Sequence, residues 1–299
     1  MLPFAPWAAA LAGFRLVRER PWAVLAWAGV IFIGRLAGLA LTTAISGPFL
    51  PTLDAAVNAS PINVQAVAVA YQNVAPGYLA GLALALPFFA VVFAAVFRAY
   101  LQPQERRACY LRLGVREAAV LALIVGLNLV VMVGLSFGAA LVAGLSSLVA
   151  QADAASGAAV EAAGLAGLIF AGVWAVVRLC LAWPLSFQTG RPTLFATWGL
   201  TRGHGWSLAG AFLMAEGLMV VVGMLLFAIC ATLAGVVLIA SGQTLDQLPD
   251  ALRPAIAVRE LFEPAPLLFS AFEAVLLTLS AATLQGVAVS AYRALAPRG

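Results

Sequence analysis

Six long apolar stretches, at about 22–46, 76–97, 118–149, 163–187, 207–240 and 266–290, constrain this chain more than any other feature. Each is longer than the ~18 residues that mark a membrane-spanning helix. In hydrocarbon every backbone N–H and C=O must be satisfied within its own segment, so stretches of this length predict helices. The expected fold class is therefore all-α. It is a polytopic helical bundle of six transmembrane helices with interfacial amphipathic helices, forming one membrane domain over 1–299. The third and fifth stretches exceed thirty residues, so they tilt or project beyond the bilayer. Composition agrees: 64% of residues are hydrophobic and 9% charged, against about 25% charged in soluble domains.

The charge distribution predicts orientation. All sixteen basic residues are Arg, and the formal net charge is +4. The N-terminal segment, the 98–117 and 188–206 connections and the C-terminal tail together hold twelve Arg, whereas the three opposite connections hold two, Arg253 and Arg259. By the positive-inside rule both termini lie in the cytoplasm. The excess positive charge then reports topology and implies no nucleic-acid partner. Residues 1–21 resemble a signal-peptide core, but Arg15, Arg18 and Arg20 follow the apolar part and no small-residue cleavage pattern intervenes. A cytoplasmic amphipathic segment is expected there. On the opposite side, 61–74 and 245–263 are expected to form interfacial or re-entrant helices, the second through Leu248, Leu252, Ile256 and Leu261.

The two main cytoplasmic connections echo each other. The first reads VFRAYLQPQERRACYLRLGVREAAVLAL and the second VVRLCLAWPLSFQTGRPTLFATWGLTRGHGWSLAGAFL. In each, an Arg near the span end (Arg98, Arg178) precedes a Pro (Pro103, Pro184). A short amphipathic helix is expected next, then a Gly and an Arg (Gly114 and Arg116; Gly199 and Arg202). Proline ends the spanning helix, and glycine permits the turn back into the bilayer. Arg98, Arg116, Arg178 and Arg202, with Trp183, Trp198 and Trp206, are expected to form a belt at headgroup level, where Arg meets anionic lipid phosphates and Trp anchors the interface. The pairing suggests an internal duplication.

The run RLCLAWPLSFQTGRPTLFATWGLTRGHGWSLAG, with FRAYLQPQERRACYLRLGVRE before it, resembles bacterial inner-membrane proteins grouped with the membrane domain of glycerophosphoryl diester phosphodiesterases and the YciC-like proteins. The resemblance spans about 96–215. It implies a bacterial inner-membrane location and a stand-alone membrane domain, since no barrel that would carry phosphodiesterase chemistry is appended.

Three ionisable residues fall inside spans: Arg35, Glu216 and Glu273. At ~1.5 Å per residue they lie ~20, ~14 and ~26 Å from the cytoplasmic side, with Arg35 between the two acids in depth. They are expected to form one intramembrane polar cluster that either pins three helices or lines a polar cavity. Asn128, Ser136, Ser186, Gln188 and Gln285 are expected to bond between helices, and Gly134 with Gly138 and Gly164 with Gly167 to mark close packing. No catalytic site is expected. No G-x-S-x-G occurs, and His204 is the only histidine. Cys109, Cys180 and Cys230 lack ligand spacing, so no metal or cofactor is expected either. The leading reading is a lipid-interacting scaffold, complex subunit or membrane-homeostasis factor, with a protein partner or a second copy as further associates. The alternative is a small transporter or permease subunit built on Arg35, Glu216 and Glu273.

Overall fold

A computed structural model describes residues 5–60, 63–105, 107–194, 196–240, 242 and 256–295, and every regular element among them is helical. Two short helices, α1 (Pro6–Ala10) and α2 (Ala12–Glu19), lead into α3 (Pro21–Ser46). Then come α4 (Leu50–Val57), α5 (Val64–Leu101), α6 (Val115–Ala150), α7 (Ala154–Leu179), α8 (Ala182–Thr189), α9 (Ala196–Leu200), α10 (Gly205–Ala240) and α11 (Pro264–Leu295). Six segments, built around α3, α5, α6, α7, α10 and α11, are long and apolar enough to cross a bilayer. The protein is thus an all-α, multi-pass integral membrane protein.

The tightest packing joins α3 to α5 through small residues at four-residue spacing. Gly34, Gly38, Thr42 and Ser46 of α3 oppose Gly77, Gly81, Ala85 and Phe88 of α5. A Cβ added at Gly81 would come within 2.4 Å of the Gly38 carbonyl oxygen, and one at Gly38 within 2.7 Å of that of Gly81. Because lipid tails are as apolar as leucine, helices in a membrane associate by such close approach and by hydrogen bonds, not by hydrophobic burial. The seam supplies both: Thr42 donates to the Gly77 carbonyl (3.2 Å) and Ser46 to that of Val74 (2.7 Å). Of the glycines expected to mark close packing, Gly138 and Gly164 do meet side chains across α6 and α7, whereas Gly134 and Gly167 face open space.

Helix α11 crosses the middle of the molecule and packs on α2, α3, α5 and α10. The N-terminal helices seat on it where Gly13 meets Thr283, a contact so close that a Cβ at Gly13 would lie 2.2 Å from the Thr283 Cα. Helix α6 is buried as far as Ile124; beyond that, Ser146 is its only buried residue. It forms a hairpin with α7, closed by Asp153. That carboxylate accepts from the Ala155 and Ser156 N–H groups (3.2 and 2.9 Å), and its bonds from Ser156 hold it below its ordinary pKa. The outer flanks of α6, α7 and α10 are long exposed apolar surfaces, which in a membrane protein face lipid.

Two expectations are corrected. Residues 64–74 are not a separate interfacial helix but the opening turns of α5, which runs 38 residues with Pro76 and Pro87 inside it. Pro76 removes one helical donor without ending the helix, and the seam against α3 begins beside it, at Val74 and Gly77. Among its described residues the first connection contains no amphipathic helix; Arg107–Tyr110 is instead a tight turn with left-handed residues. Of the expected 245–263 helix, Leu248 and Leu252 lie outside the described residues. Val258–Phe262 forms a 3₁₀ turn with Leu261 buried and Ile256 exposed.

Gly81→Leu should force α3 and α5 apart and cost about 1–3 kcal/mol. Gly126→Leu, at a glycine with nothing within 4 Å of its Cβ position, should be nearly neutral. Reversible unfolding in mixed micelles compares the two, and equal losses would contradict the seam.

Candidate functional site: the arginine-rich end

The two Arg-rich connections lie at the same end of the bundle and clasp each other. Arg98, in the last turn of α5, is only 3% exposed. Its two Nη atoms donate to the Tyr110 carbonyl and to the carboxylate of Glu117 at the start of α6. Glu117 is itself buried, so each charge depends on the other for the solvation it has lost. From the second connection, α8 inserts Phe187 into this node. The ring stands 5.8 Å from Phe97, with the Arg98 and Arg116 guanidinium groups 5.6 and 5.4 Å from its centroid. Arg116 also donates to Gln102 at 2.8 Å.

The pair holds an unusual backbone in place. Ala108, Cys109 and Tyr110 have φ of 49°, 54° and 67°, a left-handed run that costs roughly 1–2 kcal/mol per residue for side chains larger than glycine. Several bonds lock it. Trp27 Nε1 donates to the Cys109 carbonyl at 2.8 Å, Arg20 donates to the Tyr110 hydroxyl at 2.5 Å, and Arg98 caps the Tyr110 carbonyl. The turn delivers Arg112 and Leu113 to the surface, Leu113 being 87% exposed. Arg112 pairs there with Glu105 at 2.8 Å. An open apolar groove of 590 Å³ lies beneath, lined by Val30, Pro87, Phe88, Val91 and Leu111–Leu113.

In the second connection, Arg178 donates Nη1 to the Thr201 carbonyl at 2.9 Å. Its guanidinium lies over the rings of Trp174 and Trp198, at 4.9 and 5.7 Å. Among the described residues no carboxylate reaches it, and its Nε is buried without an acceptor. Trp206 packs against Trp174 at 5.3 Å and is 74% exposed. Arg202 and His204 are also exposed; His204 Nδ1 lies 3.3 Å from the Arg202 carbonyl. Trp183 is half-buried, edge-on to Phe93 at 6.0 Å. The expected belt therefore divides. Arg178, Arg202, Trp198 and Trp206 form an aromatic and cationic surface. Arg98 is withdrawn from it, because Glu117 and Tyr110 satisfy its charge from within, and Arg116 is largely occupied by Gln102 and Phe187.

The expected intramembrane cluster also divides. Arg35 and Glu273 form an ion pair joining α3 to α11. Glu216 lies on an exposed face of α10 and makes no ion pair among the described residues. Depth alone could not reveal this, since three residues at similar levels share a site only when their helices turn the right faces together. A second open groove, 550 Å³ between α4 and α5, holds Asn63, Gln65 and Asn73. None of Arg35, Glu216 and Glu273 lines either groove. Asn128 bonds within its own helix, to Ile124, whereas Gln188 does accept across the bundle from Tyr292 at 2.8 Å. No group of three or more His, Cys, Asp or Glu residues that could hold a metal ion occurs among the described residues. Compared with known proteins, the chain matches no family model, no curated protein and no solved structure.

Two substitutions probe these pairs. Glu117→Ala should cost about 3–5 kcal/mol, because it strands a buried guanidinium; Arg98→Met with Glu117→Leu should recover part of that loss. Unfolding in mixed micelles measures both, and a double variant as unstable as Glu117→Ala would contradict the assignment. Arg35→Leu should lower the melting temperature, and exchanging the charges (Arg35→Glu with Glu273→Arg) should restore most of it. No recovery on exchange would mean that the pair does not act as a pin.

Proposed function

We propose that this protein is a non-enzymatic bacterial inner-membrane component that engages anionic lipid headgroups as a scaffold, complex subunit or membrane-homeostasis factor. Its Arg-rich end and both termini face the cytoplasm. The carrying observation is the aromatic and cationic surface at that end, where Arg178 lies over the rings of Trp174 and Trp198 and Trp198, Trp206 and Arg202 are open beside it. Aromatic rings of this kind prefer the interface between hydrocarbon and water. Each Arg near an anionic surface contributes on the order of 1 kcal/mol. The exposed apolar flanks of α6, α7 and α10 offer contact to lipid, a protein partner or a second copy. The resemblance of residues 96–215 to stand-alone bacterial membrane domains supports the same reading. A transporter built on Arg35, Glu216 and Glu273 has less support, because Glu216 faces outward from α10.

Lipid mass spectrometry of the protein extracted in mild detergent tests the reading. Phosphatidylglycerol and cardiolipin should be enriched over phosphatidylethanolamine relative to the source membrane, and the enrichment should fall as salt rises. Lipid retained in the proportions of the source membrane would contradict it.

A further inference from the structure

The two echoing connections use their arginines alike, up to one missing partner. Arg98 donates one Nη to a carbonyl of its own connection, Tyr110, and the other to Glu117. Arg178 donates one Nη to a carbonyl of its connection, Thr201, and the described residues supply no acid for the other. With Gly114 matched to Gly199 and Arg116 to Arg202, the position following Arg202, which would correspond to Glu117, is Gly203. No Asp or Glu occurs between Glu161 and Glu216, so no local residue can substitute. A guanidinium is thus fixed in place by Thr201, Trp174 and Trp198, with its Nε sealed from water and no acceptor for Nη2 among the described residues.

We propose that Arg178 binds the phosphodiester of an anionic glycerophospholipid, which takes the place that Glu117 fills in the first connection. Nη2 is left to donate a charge-assisted hydrogen bond to a phosphate oxygen, the kind of contact that makes Arg a phosphate receptor. Stacking on two indole rings orients it in advance, so little side-chain freedom is lost when the anion arrives. The surroundings favour a lipid over free phosphate. Phe170 stacks on Trp174 with centroids 6.4 Å apart and planes 9° from parallel, and Trp206 covers the other end. This aromatic ladder leads from Arg178 along α7, beside the exposed Val173 and Val176, and offers acyl chains a surface directly below the phosphate.

This inference rests on the lipid-binding reading above, and the experiment separates the two. The full chain in detergent is titrated with palmitoyl-oleoyl phosphatidylglycerol or phosphatidylcholine, and bound lipid is counted by native mass spectrometry. Wild type should prefer phosphatidylglycerol. Arg178→Gln should weaken its retention about tenfold or more, Arg178→Lys should lose an intermediate amount, and Arg191→Gln, an equal charge loss on the exposed neighbouring turn, should stay within about twofold. Equal losses for Arg178→Gln and Arg191→Gln, or no loss in either, would overturn the site while leaving lipid binding intact. No preference in wild type would overturn both readings. If Arg178→Gln fails to fold, wild type decides alone through labelling by phenylglyoxal, mapped by peptide mass spectrometry. Phosphatidylglycerol should shield Arg178, and phosphatidylcholine and millimolar inorganic phosphate should not. Unaltered labelling, or equal shielding by inorganic phosphate, would overturn the lipid assignment.

Discussion

The buried pairing of Arg98 with Glu117 organises the Arg-rich end. It links the last turn of α5 to the first turns of α6 and fixes the carbonyl that ends the left-handed turn. Together with Arg116, Arg98 also roofs Phe187 of α8, which ties the second connection to the first. A buried ion pair is weak evidence for stability, since desolvation offsets most of the attraction. Its effect here is to specify geometry. Neither charge can leave its partner, so the strained turn and the docked α8 have one arrangement rather than several.

Farther into the membrane the organisation changes. Along α3 and α5 the backbones approach at Gly38, Gly77 and Gly81, with Thr42 and Ser46 donating across the contact. The α6–α7 hairpin joins the bundle mainly at its Arg-rich end, where Val120, Ile124 and Val177 are buried, and presents apolar flanks elsewhere. The molecule is therefore most tightly determined where its charges sit. That same end carries the exposed Trp198 and Trp206 and Arg178, which meets no carboxylate among the described residues.

Much of the architecture was legible in the sequence. Six long apolar runs leave helices as the only way to satisfy the backbone in hydrocarbon, and each predicted span corresponds to an observed one. The break between α7 and α8 falls just before Pro184, whose nitrogen cannot donate back to the preceding turn. Partnership was less legible. Arg98 and Arg178 occupy equivalent places in the two echoing connections, and their difference depends on where Glu117 folds, nineteen residues after Arg98. Glu216 sits at a depth suited to Arg35, yet the rotation of α10 turns it outward. The α3–α5 seam could have been found from Gly34, Gly38, Gly77 and Gly81, whose four-residue spacing repeats in both helices. Equally common spacings in α6 and α7 hid it, because small residues reveal a contact only when the facing helix is known.

Two equivalent arginines divide the work: Arg98 is satisfied by Glu117, and Arg178, with no acid among the described residues, is proposed to meet a lipid phosphate. Cryo-electron microscopy of the protein in nanodiscs containing phosphatidylglycerol tests that division most directly. The expected map shows Glu117 against Arg98 with no foreign density, and a phosphate-sized feature at Arg178 continuing into acyl-chain density along Phe170 and Trp174. A map in which Arg178 meets a carboxylate of the protein, or in which lipid phosphate lies at Arg98 instead, would contradict it.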